Sequence, residues 1–310
     1  MIKNAVSAIL TISKSTISGL FRHGILTFAA SIAFYTIFSL PGLLITVTMV
    51  AGIFIDKSVV ESGLVTNLES FIGEAPAETI GSMLKKIKFT EDSIWKTIFG
   101  LGTLLFSATT IFISLQESLN RIWDVRAVPK RGWLKFITDR VISFGMVLAV
   151  GFLMMVSLLL DTLFEVFFNR IENMIGSEPA FWLGVANEII FLIISFSIIC
   201  LIFKMLPDVI LSWRDVAFAA LITVGLLYVG KFLIGLYIGQ SDFSQTYDAA
   251  GSLIIMLMWV YYSSVVLLTG AEVTRSIMIY KKRPIRPANG AKKIRVRELD
   301  FEEYKSEILP

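Results

Sequence analysis

Charged residues are scarce in this sequence. They make up 17% of its 310 residues, whereas soluble domains carry about 25%. Hydrophobic residues make up 55%, and the charges are absent over long runs and gathered between them. This distribution excludes a pair of ordinary soluble domains and indicates a chain that lies largely within a membrane.

Cysteine and histidine are nearly missing, with Cys200 and His23 the only residues of either type. A lone cysteine excludes an intramolecular disulfide, and a zinc site would lack ligands. His23 is the only imidazole base, and we interpret it as an interfacial residue at the foot of the first apolar run. The sequence contains no Walker A, HExxH or GxSxG motif. We therefore predict no catalytic residue, no cofactor and no metal, and a protein that is not an enzyme.

Six apolar runs approach the roughly 20 residues that a helix needs to cross the hydrocarbon of a bilayer. Glu188 in the fourth run and Lys231 in the fifth lie near segment ends, where a charged side chain can reach the interface. The sequence thus predicts an all-α polytopic fold with six transmembrane helices, at residues 29–55, 97–116, 141–160, 179–203, 216–237 and 249–271.

Lysine and arginine fall unequally on the two sides of these spans. The side that carries both termini holds 21 of the 28, and cytoplasmic loops are the ones enriched in these residues. We expect both termini in the cytoplasm and the protein in an inner (plasma) membrane. The overall charge of +3 does not indicate a nucleic-acid partner.

Three regions follow from this topology. Residues 1–24 predict a cytoplasmic amphipathic helix on the leaflet or, alternatively, a lead-in to the first span. Residues 25–280 form the transmembrane domain, with short helices in the outer segments 56–93 and 161–187. Residues 281–310 form a basic, then acidic tail that we expect to be disordered. Its basic block either grips anionic lipid headgroups or serves as a positive-inside anchor. Small-residue helix faces would also allow a homo-oligomer.

The second span carries a polar stripe. Thr103, Ser107, Thr110, Ser114, Glu117 and Arg121 are separated by steps of four or three, which places them on one helix face. The first span has a weaker stripe that includes Tyr35. Such stripes either pack helices closely or line a polar cavity, and the sequence leaves both open.

Charged residues gather where the spans meet the cytoplasm. Glu117 and Arg121 have i,i+4 spacing, as do Asn120 and Asp124, and Glu272 precedes Arg275 by three residues. They either shape a charged vestibule or anchor helix ends. The candidate cavity and transport residues are Tyr35, Ser107, Thr110, Ser114, Glu117, Asn120, Arg121, Lys204 and Glu272.

Four blocks of sequence resemble the YihY/BrkB family of bacterial inner-membrane proteins, once labelled ribonuclease BN. They are AASIAFYTIFSLPGLL at 29–44, FSATTIFISLQESLNRIWDV at 106–125, FKMLPDVILSWRDV at 203–216 and YDAAGSLIIMLMWVYYSSVVLLTGAEVTRS at 247–276. Asp248 stands where the family has glycine. The resemblance implies a six-helix, transporter-like protein and does not name a substrate.

Three functions compete at this point. The leading hypothesis is an inner-membrane transporter-like protein that moves or handles a lipid or small solute through a polar cavity in the bundle. The alternative is a non-transporting scaffold of the cell envelope. A membrane-bound ribonuclease ranks last, because the residues offer no nuclease chemistry.

Overall fold

The computed structural model describes residues 2–51, 110–128, 179–239 and 243–294, with isolated positions between 65 and 82 and between 137 and 156. Residues 110–122 are helical, and the other helices are α1 (Ile2–Arg22), α2 (Ile25–Ala51), α3 (Pro179–Met205), α4 (Trp213–Gly239) and α5 (Phe243–Tyr280). The strands are β1 (Val125–Ala127), β2 (Val209–Ile210), β3 (Arg286–Pro287) and β4 (Ala291–Lys293).

The apolar runs fold as long helices. In the described part of the chain, Glu188–Met205, Trp213–Leu233 and Met256–Tyr280 are long and apolar enough to cross a membrane. Val6–Arg22 and Ile25–Ser39 make a further candidate that is bent by 58°. The mostly helical fold with several candidate membrane spans is therefore confirmed. The count of six stays a prediction, because the second and third spans lie largely outside the described residues, as do the short helices of the outer segments.

The bend between α1 and α2 has a local cause. Gly24 has a φ of +66°, a left-handed conformation that glycine adopts without steric cost. His23 N still donates to Gly19 O at 2.9 Å, and Gly24 N donates to Phe21 O at 3.1 Å. α1 thus ends as helices commonly do at a glycine, and α2 starts in a new direction at Ile25.

α1 is amphipathic, as predicted. Thr16 and Gly19 are buried against the bundle, and α1 packs on α5. The opposite face exposes large apolar side chains, with 50–71% of their surface uncovered: Val6, Ile9, Leu10, Ile17 and Phe21. An apolar face with this much exposed surface suits the boundary between headgroups and acyl chains. That placement on a leaflet stays a prediction.

α5 is the central helix and packs on α1, α2 and α4, while α3 packs on α4. Ile25, Leu119, Val216 and Leu268 have no exposed surface. Ile25 and Val216 are near the starts of α2 and α4, whereas Leu119 and Leu268 are in the second halves of the 110–122 helix and α5. The best-buried core therefore lies at the end of the bundle where α1 meets α2. The four strands are at this same end of the bundle, which we call the strand end.

The predicted disorder of the tail is wrong for residues 281–294. β4 pairs antiparallel with β1, and β3 pairs antiparallel with β2. Proline and glycine stop α5 from continuing, but they are compatible with short edge strands. β3 and β4 are such strands, and they form backbone hydrogen bonds with β2 and β1. Ile285 is buried beneath this return. Residues 295–310 lie outside the described residues.

Candidate functional site

A buried pair of ionisable side chains lies at the strand end. Glu272 on α5 has no exposed surface, and His23, at the α1–α2 bend, is 3% exposed. His23 Nδ1 lies 2.7 Å from Glu272 Oε2. A carboxylate can only accept, so the imidazole proton is assigned to Nδ1. The two residues are 249 positions apart in the chain.

Arg275 and Asp124 complete a four-residue group, which we call the charge network. Arg275 Nη1 donates to Glu272 Oε1 at 3.4 Å, and Nη2 donates to Asp124 Oδ2. His23 Nε2 lies 3.6 Å from Asp124 Oδ1. Each carboxylate therefore contacts both Arg275 and His23. Buried charges are tolerated only when paired in this way, since an unpaired one costs several kcal/mol (about 3–5).

Local backbone geometry places Asp124 in the network. The helix of residues 110–122 ends in a turn, and Asp124 follows it with a φ of +52°. Aspartate is among the residues that tolerate this left-handed conformation. Ile294 N donates to Asp124 O at 2.7 Å, at the end of β4. The ordered part of the tail therefore holds the turn that presents the Asp124 carboxylate.

A glycine permits the close approach of α1 to the network. A Cβ built on Gly19 would overlap Oε1 and Cδ of Glu272. Ser276 Oγ donates to Ser15 Oγ at 3.1 Å, one turn further along the same contact. Small residues on α1 thus allow its backbone to lie against the Glu272 side chain.

Arg22 contacts the network from outside. Its Nη2 lies 3.3 Å from His23 Nε2, and Arg22 itself is exposed. With Nδ1 protonated, Nε2 either accepts from Arg22 when the ring is neutral or donates toward Asp124 when it is charged. The presence or absence of a proton on His23 Nε2 therefore decides which neighbour the ring binds.

A second polar contact joins the loops at the strand end. Asn120 Nδ2 donates to Asp208 Oδ2 at 2.9 Å, and Asp208 N donates to Asn120 Oδ1 at 2.7 Å. Lys204 Nζ donates to Leu211 O at 2.5 Å and lies 5.3 Å from the centroid of the Trp213 ring. These contacts fix the α3–α4 connection against the 110–122 helix.

A cavity of about 330 Å³ lies between α2, α4 and α5, which is the lower end of the range for small-molecule pockets. Its apolar lining is Ile32, Ile80, Leu115, Leu227, Met256, Trp259, Val260 and Leu267, and its hydroxyl residues are Thr36, Ser263 and Ser264. Thr36 Oγ1 donates to Ile32 O and Ser264 Oγ to Val260 O, each at 2.7 Å. Two of the three hydroxyls are thus satisfied by their own helices, and the wall is effectively apolar.

The sequence matches the family described as virulence factor BrkB over residues 16–295. The chain belongs to this family. Curated relatives of the BrkB family include a UPF0761 membrane protein of Tolumonas auensis, 29% identical over 61% of this chain and 60% of its own length. UPF0761 membrane proteins of Xanthomonas oryzae and Xanthomonas axonopodis are each 26% identical over 83% of this chain and 58% of their own length. No solved structure matches the chain.

The chain therefore spans about 60% of the length of these curated relatives. Their names describe membrane proteins and no activity, so the comparisons establish a membrane protein. The stretch GAEVTRS, which carries part of the family resemblance, contains Glu272 and Arg275. Gly270 belongs to it too, and a Cβ there would overlap Thr223 Oγ1 on α4.

The residues predicted from sequence separate into several places. Glu272 lies in the charge network, while Asn120 and Lys204 lie in the second contact. Glu117 and Arg121 are exposed, and Tyr35 is 40% exposed with its ring edge-on to Phe34. Thr110 is half-buried, Ser114 is 8% exposed, and Ser107 lies outside the described residues. The structure thus does not bring this set together as one vestibule.

Sequence reasoning missed two members of the site, His23 and Gly19, and its list of candidate residues left out Asp124 and Arg275. His23 was interpreted as interfacial, and the structure buries it instead. The sequence did contain one signal for His23. It is the only histidine, and it directly precedes Gly24, where the amphipathic segment gives way to the first apolar run. The i,i+4 spacing suggested that Asp124 pairs with Asn120 along a helix. The helix ends at residue 122, and Asp124 lies in the turn after it, so this pairing does not apply.

Proposed function

We propose that this chain is a transporter-like protein that handles a lipid, with the acyl chain in the apolar cavity and the charge network controlling one end. The observation that carries the proposal is the stacking of these two features along the same helices. α2 lines the cavity through Ile32 and Thr36, and α5 lines it through residues that include Trp259, Val260 and Leu267. Glu272 of the network is on α5, and His23 is two residues before the start of α2.

The spacing along α5 suits an amphipathic substrate. Leu267 precedes Glu272 by five residues, or about 7.5 Å of helix, and Trp259 precedes it by about 20 Å. An apolar pocket beside a charged group matches a molecule with an apolar tail and a polar head. Of the two substrate classes that the sequence suggests, the lining favours a lipid over a small polar solute.

The network is suited to act as a gate because it holds α1 against α5 by polar contacts that have alternatives. His23 Nε2 can bind Arg22 or Asp124, and Arg275 divides its donors between Glu272 and Asp124. A substrate headgroup that binds Arg275 would compete with one carboxylate and shift this balance. Ionisable groups buried within a membrane protein are functional candidates by default.

We place the protein in the bacterial inner membrane with both termini in the cytoplasm. The excess of lysine and arginine supports this orientation. Exposed cations at the strand end would bind anionic headgroups of the same leaflet, namely Arg126, Lys281, Lys282, Arg286, Lys292 and Lys293. We propose no enzymatic step for this site.

Photolabelling tests occupancy of the cavity. A phospholipid with a diazirine near the end of one acyl chain is incorporated into liposomes with the full-length protein, and labelled peptides are mapped by mass spectrometry. We expect labels on Thr36 and Val260, because they line the cavity. Ser263→Phe fills the cavity and is expected to reduce these labels at least about fivefold, a gap of roughly 1 kcal/mol.

Leu221→Phe is the matched control, because Leu221 is 63% exposed on α4 and does not line the cavity. It should leave the cavity labels unchanged. Labels confined to exposed residues such as Leu221, with none in the cavity, would contradict the proposal and favour the scaffold alternative.

A further inference from the structure

The two isolated charges of the fourth and fifth spans lie beside the same tyrosine, where α3 packs on α4. The Tyr228 phenol is next to the Glu188 carboxylate. Lys231 Nζ lies 5.2 Å from the centroid of the Phe191 ring and 5.8 Å from that of Tyr228. Each charge alone would be costly within a membrane segment. The two charges lie in one place together with two aromatic rings. This arrangement indicates a common role rather than two side chains that each extend separately to the aqueous interface.

This group lies at the end of the spans opposite to the strand end. Glu188 lies nine residues after the first residue of α3, and Lys231 lies eight residues before the last residue of α4. At 1.5 Å per residue, each is about 25–27 Å along its helix from the strand end. The hydrocarbon layer is about 30 Å thick, so the group lies where acyl chains give way to headgroups.

A cavity of about 180 Å³ opens beside Lys231 and is lined also by Phe191, Ser195 and Tyr228. Ser195 Oγ is buried and has no hydrogen-bond partner among the described residues. Other hydroxyls in these helices bond the carbonyl one turn back, as Ser197 Oγ does to Ile193 O at 2.7 Å. A buried hydroxyl that forgoes this bond at a cavity is available to a ligand.

The surface around the group is apolar and exposed. Tyr228 is 43% exposed, and its neighbours Val229 and Phe232 are 54% and 65% exposed. A ligand at this surface would therefore have an apolar portion beside its polar one. The polar portion would meet the Lys231 ammonium and the Ser195 hydroxyl at the cavity. The Glu188 carboxylate lies outside the cavity lining, seven residues before Ser195 on α3.

We propose that this is a binding site for a zwitterionic phospholipid of the ethanolamine class. The phosphate binds Lys231 Nζ and the Ser195 hydroxyl, and the ammonium group binds the Glu188 carboxylate and the face of the Tyr228 ring. The acyl chains lie along the exposed apolar side chains of α4. The site goes beyond the transport proposal, because a lipid would be held here whether or not any lipid crosses the membrane.

Native mass spectrometry of the full-length protein, titrated with phosphatidylethanolamine or phosphatidylglycerol of the same acyl composition, tests the site. The wild type is expected to retain phosphatidylethanolamine several-fold better. Lys231→Met is expected to weaken both lipids about tenfold, as loss of a charge-assisted bond does. Glu188→Gln is expected to abolish the preference. Arg214→Met, an exposed cation at the other end of α4, is the control and should change neither.

Two further variants separate binding from folding. Lys231→Arg keeps the charge and should retain phosphatidylethanolamine, and Ser195→Ala should weaken it several-fold at an unchanged melting temperature. The proposal would be overturned if Lys231→Met retained phosphatidylethanolamine as well as the wild type does. If Lys231→Met does not fold, the same result with Ser195→Ala would overturn it. A preference that survives Glu188→Gln would do the same. Competition by water-soluble glycerophosphoethanolamine at equal concentration would show that the ligand is a soluble phosphate ester rather than a lipid.

Discussion

Glu272→Ala is expected to lower the free energy of unfolding by about 3–5 kcal/mol, the usual effect of removing one partner of a buried ion pair. Glu272 has no exposed surface and accepts from both His23 and Arg275. Without it, Arg275 keeps Asp124 as its acidic partner in the network, and its Nε already has no partner among the described residues. The loss thus leaves a buried guanidinium undercompensated.

The measurement is denaturant unfolding of the purified protein in mild detergent, followed by tryptophan fluorescence. Glu117→Ala is the matched control, since Glu117 is an exposed carboxylate near the same end of the bundle. It should stay within about 0.5 kcal/mol of the wild type. A Glu272→Ala variant as stable as Glu117→Ala would show that the charge network does not hold the helices together.

Gly19→Ala is the second substitution for which we expect a large effect, about 1–3 kcal/mol of destabilisation from overpacking. The added methyl would overlap Oε1 and Cδ of Glu272. A flexible carboxylate end could normally move aside, but this one is bonded to His23 and Arg275 and would lose those contacts. We therefore expect α1 to separate from α5.

A disulfide cross-link reports this separation in the membrane. Ser15 and Ser276 are in hydrogen-bond contact, so the double cysteine variant should cross-link readily on oxidation. Adding Gly19→Ala should lower the yield, whereas adding Gly225→Ala should not, because a Cβ on Gly225 meets nothing within 4 Å. The same high yield in the Gly19→Ala background would contradict the close approach of α1 to Glu272.

The helices could be predicted from sequence because each depends on a long local run of apolar residues. The predicted span 179–203 appears as α3, Pro179–Met205, and 216–237 lies within α4, Trp213–Gly239. α5 runs further at both ends than the predicted 249–271 and reaches Tyr280. Its last turns carry polar residues beyond the uncharged run on which the prediction depended, and Thr274, Arg275 and Ser276 are buried against other elements there.

The charge network could not be predicted in the same way, because its members meet only after folding. His23 reaches Glu272 only because the chain bends at Gly24, and Asp124 reaches Arg275 only because it adopts a left-handed turn conformation. Helical spacing finds partners three or four residues apart, which is how the Glu272–Arg275 pair was visible. It instead grouped Glu117 and Arg121 with them, and both of these are exposed.

We propose that the cavity and the charge network together move a lipid. The most direct measurement is the flux of a fluorescent phospholipid between the leaflets of proteoliposomes, read as bleaching by an impermeant reductant. We expect flux with the wild type and with the control Arg214→Ala, and at least about a tenfold loss, near 1.4 kcal/mol of barrier, with folded Glu272→Gln and Ser263→Phe. Wild-type flux no higher than that of protein-free liposomes would contradict lipid movement through this cavity. Flux as high in both variants as in the wild type would contradict it too.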